Sequence, residues 1–391
     1  MLILKSIYAV FKREVKCIIT NRLYFISLIV LPLVMITLFT LMFERGSIDE
    51  LPIVVVDNDK SVTSWQLTSM IQDTRGVGDI TECNSTIEAN NIVRRGDARA
   101  MLVIPSDFER DIVSGKQSSA SVLISGANLS TAGVLQRDIQ QAVQSLSASV
   151  ASGRMISMGY SQDQAISDIL PINVDMHTIS NPYMNYGYYL APMFIFVGIV
   201  LFTMLTTIYA VGRELYYASA EEWLMTANNS LLIAMVGKLL PVAIVMVAIM
   251  GVAYFVLFVI MGMQLMCSHL MLLLISILLI AAYQSIAVAI TAITANMRLA
   301  LSLGGGYAVM AFTFSGVTFP IIAMYGVAQL FAKAFPLTYY NEIFINQALR
   351  GAGVEHSIED FWALLIFIAL GCVVWRRLDR VVRSEEYWRK D

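Results

Sequence analysis

The charged side chains best placed for chemistry lie in one short segment, residues 212–227, between two long apolar runs. Read as one uninterrupted helix, this segment carries Glu214 and Glu221 on one side and Trp223 on another. A short amphipathic helix held against a membrane is typical of a docking surface; an ordinary interfacial loop between two spans is the alternative. The residues expected to take part are Arg213, Glu214, Glu221, Glu222, Trp223 and Thr226.

Residue sets typical of catalysis or cofactor binding do not occur in the sequence. The three histidines form no HExxH motif, the four cysteines form no CxxC pair, and no Gly-x-x-x-x-Gly-Lys-Ser/Thr loop for ATP is present. We therefore expect that the chain is not an enzyme and holds neither a cofactor nor a metal. Energy for any uphill transport has to arrive through contact with another subunit.

The elements that position the charged segment belong to a membrane. Hydrophobic residues make up 57% of the 391, charged residues only 14%, and the mean hydropathy is +0.68. These values predict a polytopic α-helical membrane protein with six transmembrane helices and an α/β extracytoplasmic domain between helices 1 and 2. The net charge of −3 does not indicate nucleic-acid binding.

The order of the predicted segments follows the hydropathy pattern. Residues 1–22 are expected to form a cytosolic amphipathic helix, 23–43 the first span with a kink at Pro32, and 44–187 the external domain. Residues 188–391 hold the other five spans, at about 188–211, 239–263, 270–295, 299–319 and 361–375. Lys238 precedes the third span and is expected to snorkel. A re-entrant hairpin is expected at about 321–353.

Basic residues set the predicted orientation. Residues 1–22 contain five Lys/Arg against one Glu, and six Lys/Arg follow the last span. By the positive-inside rule both termini are cytosolic. The predicted spans 188–211, 239–263, 270–295 and 299–319 contain no Asp, Glu, Lys or Arg. This disfavours a proton- or sodium-coupled carrier, because such carriers need ionisable groups within the membrane.

The polar insert has its own α/β pattern and ten Lys/Arg against seventeen Asp/Glu, a net charge of −7. Strands are predicted at 51–56, 100–104 and 120–124, with helices at 64–72, 87–95 and 106–113, the last capped by Ser106. Asp57-Asn58-Asp59 is interpreted as a turn cap. A long helix is predicted at about 131–158, whose apolar stripe covers either the domain's own sheet or a partner's helix.

Several short motifs, in order along the chain, carry a resemblance to a known family. They are Ile53–Ser61, Gly96–Phe108, the Arg213–Thr226 segment, Ser315-Gly316 with Pro320, and Phe335–Tyr340. In this arrangement the chain resembles the permease subunit of ABC-2-type exporters, in the subgroup with a large external domain between the first two spans. Ala227 stands where the family often has proline.

The resemblance implies a function and a set of partners. A separate ABC ATPase, which binds ATP and magnesium, would push on residues 212–227, and a second permease, identical or related, would complete the pore. Hydrophobic or amphiphilic cargo would leave the cytoplasm or the bacterial inner membrane, with a periplasmic adaptor as a possible further partner. The helix at 131–158 is the candidate for contact with that adaptor or for a gate. The residues that the resemblance assigns to translocation or gating are Ser315, Gly316, Pro320, Pro336 and Thr338.

A second hypothesis stays open at this point. A membrane-anchored sensor or assembly factor, acting through its external domain, would have the same hydropathy pattern. An adjacent gene for a protein with an ATP-binding loop favours the exporter, and an adjacent kinase or regulator favours the sensor.

Overall fold

The computed structural model describes residues 2–44, 46, 48–164, 181, 185–316 and 318–389. They form two compact units. One comprises Met1–Gly46 together with Thr178–Asp391 and is helical, and the other is the α/β unit Ser47–His177.

Helices and strands are numbered in chain order within the described residues. The helices are α1 Leu2–Thr20, α2 Arg22–Met42, α3 Val62–Gln72, α4 Thr86–Arg95, α5 Phe108–Val113, α6 Leu129–Ser157, α7 Tyr186–Tyr216, α8 Ala220–Thr226, α9 Leu231–Ile260, α10 His269–Thr294, α11 Met297–Phe314, α12 Gly326–Ala332, α13 Pro336–Ile343, α14 Ile358–Val373 and α15 Trp375–Arg383. The strands are β1 Leu51–Asp57, β2 Val77–Glu82, β3 Ala100–Ile104 and β4 Ser121–Ile124.

Six helices of the described chain are long and apolar enough to cross a membrane: α2, α7, α9, α10, α11 and the segment Val354–Arg383 that contains α14 and α15. The prediction of a polytopic helical protein with six spans is confirmed. Three spans run several residues beyond the predicted apolar runs: α7 continues to Tyr216, α9 begins at Leu231, and the last span covers Val354–Arg383. Lys238 therefore lies inside α9 rather than before it.

Two of these spanning helices contain a π-helical turn. In α2 the wide turn is Ile26–Val30, one turn before Pro32, and the Leu31 N–H donates to the Ile26 carbonyl. A proline ring crowds the carbonyl four residues earlier, and a wide turn is one way to relieve that crowding. In α9 the π-helical turn, Val256–Ile260, ends the helix.

Helix α1 packs against α9 through one stripe. Ser6, Val10, Glu14 and Ile18 recur every fourth residue, and all four are buried. Gly237 of α9 permits the close approach, since a Cβ at this position would lie 2.7 Å from the Val10 Cβ. The predicted amphipathic helix is present, but its buried stripe includes a carboxylate.

The α/β unit is built on a four-stranded sheet of order β2-β1-β3-β4. Strand β1 is parallel to β2 and β3, and β3 is antiparallel to β4. Alternate residues of β1 enter two cores, with Ile53 and Val55 on one face and Val54 and Val56 on the other. The sequence does not predict strand β2, because its residues Val77–Glu82 include only two large apolar side chains.

The apolar stripe of α6 covers the sheet of its own domain. Of the two alternatives, the domain's own sheet and a partner's helix, the structure of this chain shows the first. Leu135, Ile139 and Leu146 are buried in the same core as β1 and β3. Asp138 is also buried, and its carboxylate accepts a hydrogen bond from the Gly76 N–H at 2.9 Å.

The turn after β1 is capped as predicted. The Asp57 carboxylate accepts from the Asp59 and Lys60 N–H groups, at 2.9 and 3.0 Å. Asp59 in turn accepts from the Phe108 and Glu109 N–H groups at 3.1 and 3.0 Å, so it caps α5 from another segment. The prediction of Ser106 as the N-cap of this helix is wrong, because α5 begins later, at Phe108, and its cap comes from Asp59.

The segment between the fifth and sixth spans is broken, as its composition indicated. A 3₁₀ turn at Ile321–Ala323 is followed by α12, then by α13 and a π-helical continuation, Phe344–Leu349. Its re-entrant path through a membrane stays a prediction.

Candidate functional site

The predicted docking segment is divided into two helices. Helix α7 ends at Tyr216 and α8 begins at Ala220, so the prediction of one uninterrupted helix over 212–227 is wrong. Ala218 has φ +54, a left-handed conformation that costs an L-residue roughly 1–2 kcal/mol. The Ser219 N–H donates to the Glu214 carbonyl at 2.9 Å and closes the end of α7.

Five charged side chains from three helices meet at this break. We call them the ion cluster: Arg13 and Glu14 of α1, Arg213 and Glu214 of α7, and Lys238 of α9. Lys238 Nζ lies 2.6 Å from Glu14 Oε2 and 2.8 Å from Glu214 Oε1. The cluster therefore joins elements that are far apart in the sequence.

Arginine completes the coordination of Glu214. Arg13 donates through Nη1 and Nη2 to the two carboxylate oxygens, at 3.0 and 2.9 Å, in a bidentate pair. Arg213 Nη2 lies 3.4 Å from Glu214 Oε1 and 3.7 Å from Glu14 Oε2. With three cations against two carboxylates, the ion cluster carries a formal charge of +1.

Neighbouring neutral groups satisfy the remaining lone pairs. The Tyr24 hydroxyl donates to Glu14 Oε1 at 3.0 Å, and the Ser219 hydroxyl donates to Glu214 Oε2 at 2.6 Å. Lys238 Nζ also lies 4.9 Å from the centre of the Trp223 ring, a cation–π contact. Every carboxylate oxygen of the ion cluster thus has a donor, as buried ionised groups require.

Most of the ion cluster is buried. The side chains of Glu14, Glu214 and Lys238 are each 1% exposed or less. An apolar core encloses them, formed by residues of α1, α7, α8, α9, α10 and α15: Val10, Leu215, Trp223, Ala234, Ala292 and Leu378 among others. Removing one partner of such a buried pair costs about 3–5 kcal/mol, because the other charge is left uncompensated.

The six residues predicted to form the docking surface do not lie on one surface of the protein. Arg213, Glu214 and Trp223 are buried, so within this chain they support the segment from inside. Glu221 and Glu222 are exposed on α8, and Thr226 is half-buried with its hydroxyl donating to the Glu222 carbonyl at 2.8 Å. Together with exposed Met225, the two glutamates form what we call the α8 outer face.

Sequence reasoning misses three of the five residues of the ion cluster. It treats Arg13 and Glu14 only as part of a basic segment, and it predicts that Lys238 snorkels. Instead, Lys238 is held by two carboxylates. The available signal was Glu14 itself, an acid spaced four residues from both Val10 and Ile18 on the apolar stripe of α1.

The residues assigned to gating separate into two groups. Ser315 and Gly316 line a cavity of about 280 Å³ together with Asn341 and Glu342 of α13. Gly316 has φ +82, and the Asn341 amide donates to the Ser315 hydroxyl at 3.5 Å.

The other three gating residues shape local backbone instead of lining that cavity. Pro336 occupies the first turn of α13, and the Thr338 hydroxyl donates to the Ala332 carbonyl at 2.7 Å. Pro320 precedes the 3₁₀ turn. The cavity, with Ser315 and Gly316, is the part of this set that a ligand could enter.

Among the residues that the structure describes, no group of three His, Cys, Asp or Glu side chains is arranged to hold a metal. The two carboxylates of the ion cluster are fully occupied by cations and hydroxyl groups.

Comparison with known protein families gives one match. A family model described as an ABC-2 family transporter protein matches residues 22–376, which is most of the chain. A comparison with curated proteins finds no match.

Proposed function

Because the chain belongs to the ABC-2 family of transporter proteins, we propose that it is the membrane-spanning permease of an exporter driven by a separate ATPase. The family makes the chain the membrane component of an ABC transporter and implies association with an ABC ATPase. The proposal adds direction and cargo: hydrophobic or amphiphilic molecules leave the cytoplasm or the inner membrane of a bacterium.

The observation that carries the proposal is the connection between the α8 outer face and the ion cluster. Trp223 of α8 contacts Lys238 of α9, which pairs with Glu14 of α1 and Glu214 of α7. Force applied at Glu221 and Glu222 would thus reach three helices at once, two of which are spans. Such a junction suits a subunit that receives work from a partner.

The distribution of charge supports ATP as the energy source. In the six described spans, Asp, Glu, Lys and Arg lie toward the helix ends, and the middle of each span lacks them. Ion-coupled carriers need ionisable groups within the membrane. ATP and magnesium would bind the partner ATPase.

Orientation and assembly complete the proposal. The basic segments at both ends favour cytosolic termini in a bacterial inner membrane, with the α/β unit outside. A second permease, identical or related, would form the other half of the pore. The cavity lined by Ser315 and Gly316 is proposed as part of the cargo route, and α6 as a contact for a periplasmic adaptor.

Charge reversal on the α8 outer face tests the coupling. The permease is purified with its ATPase in lipid nanodiscs, and ATP hydrolysis and co-purification are measured for Glu221→Arg/Glu222→Arg. We expect about tenfold weaker association, because reversing the charges of a docking surface replaces attraction to the partner by repulsion.

Glu355→Arg/Glu359→Arg is the matched control, because these two glutamates are exposed and lie outside the α8 outer face. Unchanged hydrolysis and association in the Glu221/Glu222 variant, with correct membrane insertion, would contradict the assignment of the α8 outer face.

A further inference from the structure

A cavity of about 440 Å³ lies within the α/β unit, between α5, the loop that follows it and α6. Its volume falls in the range of about 300–1,000 Å³ that is typical of small-molecule sites. The ion cluster does not involve it, and of the motifs described above Gly96–Phe108 reaches it, at Phe108.

The floor of this cavity is apolar. Phe108 and Leu146 are buried, Ile112 and Val150 are half-buried, and all four belong to or pack against the core beneath the sheet. Such a floor favours a hydrocarbon portion of a ligand.

The rim of the cavity is cationic. Lys116 and Arg154 are the charged residues that line it. The Arg154 guanidinium is oriented by one hydrogen bond, in which its Nη2 donates to the Ile112 carbonyl at 2.6 Å. Gly115, with φ +84, leaves room for the guanidinium, since a Cβ there would lie 3.2 Å from Arg154 Nη1.

The charge of the rim is opposite to that of its surroundings. Residues 44–187 hold ten Lys/Arg against seventeen Asp/Glu, yet both charged residues at the cavity are basic. A local cationic rim in an acidic unit selects for an anionic group, and Arg and Lys are the usual partners of carboxylate and phosphate.

We infer that this cavity binds an amphiphilic anion, a single hydrocarbon chain with a carboxylate head group. The chain lies on the floor formed by Phe108 and Leu146, and the carboxylate pairs with Lys116 and Arg154. This binding needs neither nucleotide nor ATPase, so its test is independent of the test of the coupling proposed above.

Photolabelling of the full chain tests the inference. The protein is placed in phosphatidylcholine nanodiscs with a long-chain fatty acid that carries a diazirine, and labelled peptides are mapped by mass spectrometry. The matched ligand is the fatty alcohol of the same chain length and diazirine position. We expect labelling of the Val143–Arg154 part of α6 and of Phe108–Ala120, several-fold stronger with the acid.

Two kinds of variant distinguish the contribution of the two cations from that of the cavity volume. Lys116→Gln/Arg154→Gln should lower labelling by the acid several-fold and leave labelling by the alcohol unchanged. Ala151→Trp, which fills the cavity but keeps both cations, should lower both. Arg94→Gln, at an exposed cation of α4 outside the cavity, is the control and should change neither.

Two results would overturn the inference. One is labelling confined to the spanning helices, which would mean partition into the bilayer only. The other is equal labelling by acid and alcohol in the unaltered protein. Unfolding temperatures of all variants are measured beside the labelling, and Ala151→Trp provides a cavity test that keeps both cations even if the double variant folds poorly.

Discussion

Lys238 Nζ and Glu14 Oε2 lie 2.6 Å apart, although 224 positions separate the two residues in the sequence. The contact ties the N-terminal helix to α9, and Glu214 extends it to α7 at 2.8 Å from the same ammonium. A single side chain therefore holds three helices, and its removal should affect all of them.

Lys238→Met should lower the free energy of unfolding by about 3–5 kcal/mol, because two buried carboxylates lose a shared cation. Thermal unfolding in detergent measures the loss. Lys12→Met, at an exposed position of α1, is the control and should have little effect. Glu14→Gln combined with Lys238→Met should cost less than the sum of the two single changes. Strict additivity would argue against a direct pairing.

Gly237→Ala should destabilise the protein by about 1–3 kcal/mol, as overpacking of a close contact does. The added methyl group would lie 2.7 Å from the Val10 Cβ and 2.9 Å from the Ile7 carbonyl oxygen. Gly251→Ala, in the same helix but with nothing within 4 Å, should instead stabilise by about 0.5–1 kcal/mol. Opposite shifts in unfolding temperature are expected, and shifts of the same sign would contradict the tight packing of α1 on α9.

Trp223→Ala should cost about 3–5 kcal/mol, the range for deletion of a buried large aromatic. Trp223 is fully buried, and its indole N–H donates to the Ala234 carbonyl at 3.3 Å. Met225→Ala, two residues later and 59% exposed, should change stability little. Thermal unfolding compares the two variants. Equal stability would mean that Trp223 belongs to a surface and not to the scaffold of α8.

Asp59 gives the start of α5 a dependence on pH. Burial opposes ionisation of Asp59, but hydrogen bonds from Ser61 and from the Glu109 and Phe108 N–H groups, with the charge of Arg110, lower its pKa below the usual value. A lowered pKa means that the stabilisation is present above the unfolded pKa and is lost as the pH falls through the folded one.

Acidification from pH 5 to below about 4, the ordinary pKa of aspartate, should therefore loosen the first turn of α5. Hydrogen exchange of the Phe108 and Glu109 amides, corrected for its intrinsic pH dependence, measures the change. Asp59→Asn cannot titrate, and its protection of these amides should not vary with pH. A variant that kept the same pH dependence would show that another group is responsible.

Much of the fold could be predicted from the sequence because it depends on local patterns. The position of strand β3, Ala100–Ile104, follows from a short apolar run between turn residues. The apolar stripe of α6 predicted a covered face, with the domain's own sheet as one of two alternatives, and the length of each apolar run predicted six spans. The cap at Asp57 depends on residues within seven positions of it.

What could not be predicted depends on contacts between distant segments. The residue type at Ala218 does not predict a left-handed conformation. That conformation is stabilised by the hydrogen bond from the Ser219 hydroxyl to the Glu214 carboxylate and by the burial of Trp223. The ion cluster needs the packing of α1 on α9, which no periodicity within either helix specifies. Asp59 caps a helix 49 positions away for the same reason.

The wide turn at Ile26–Val30 has a consequence for the first span as a whole. A π-helical turn amounts to one additional residue, and each residue of an α-helix advances its azimuth by about 100°. Side chains after Leu31 therefore point about a quarter-circle away from the direction that continuous winding from Arg22 would give them. Migration of this extra residue along α2 would rotate only the side chains between its old and new positions, by the same quarter-circle, and would leave the two ends of the span in their present orientation.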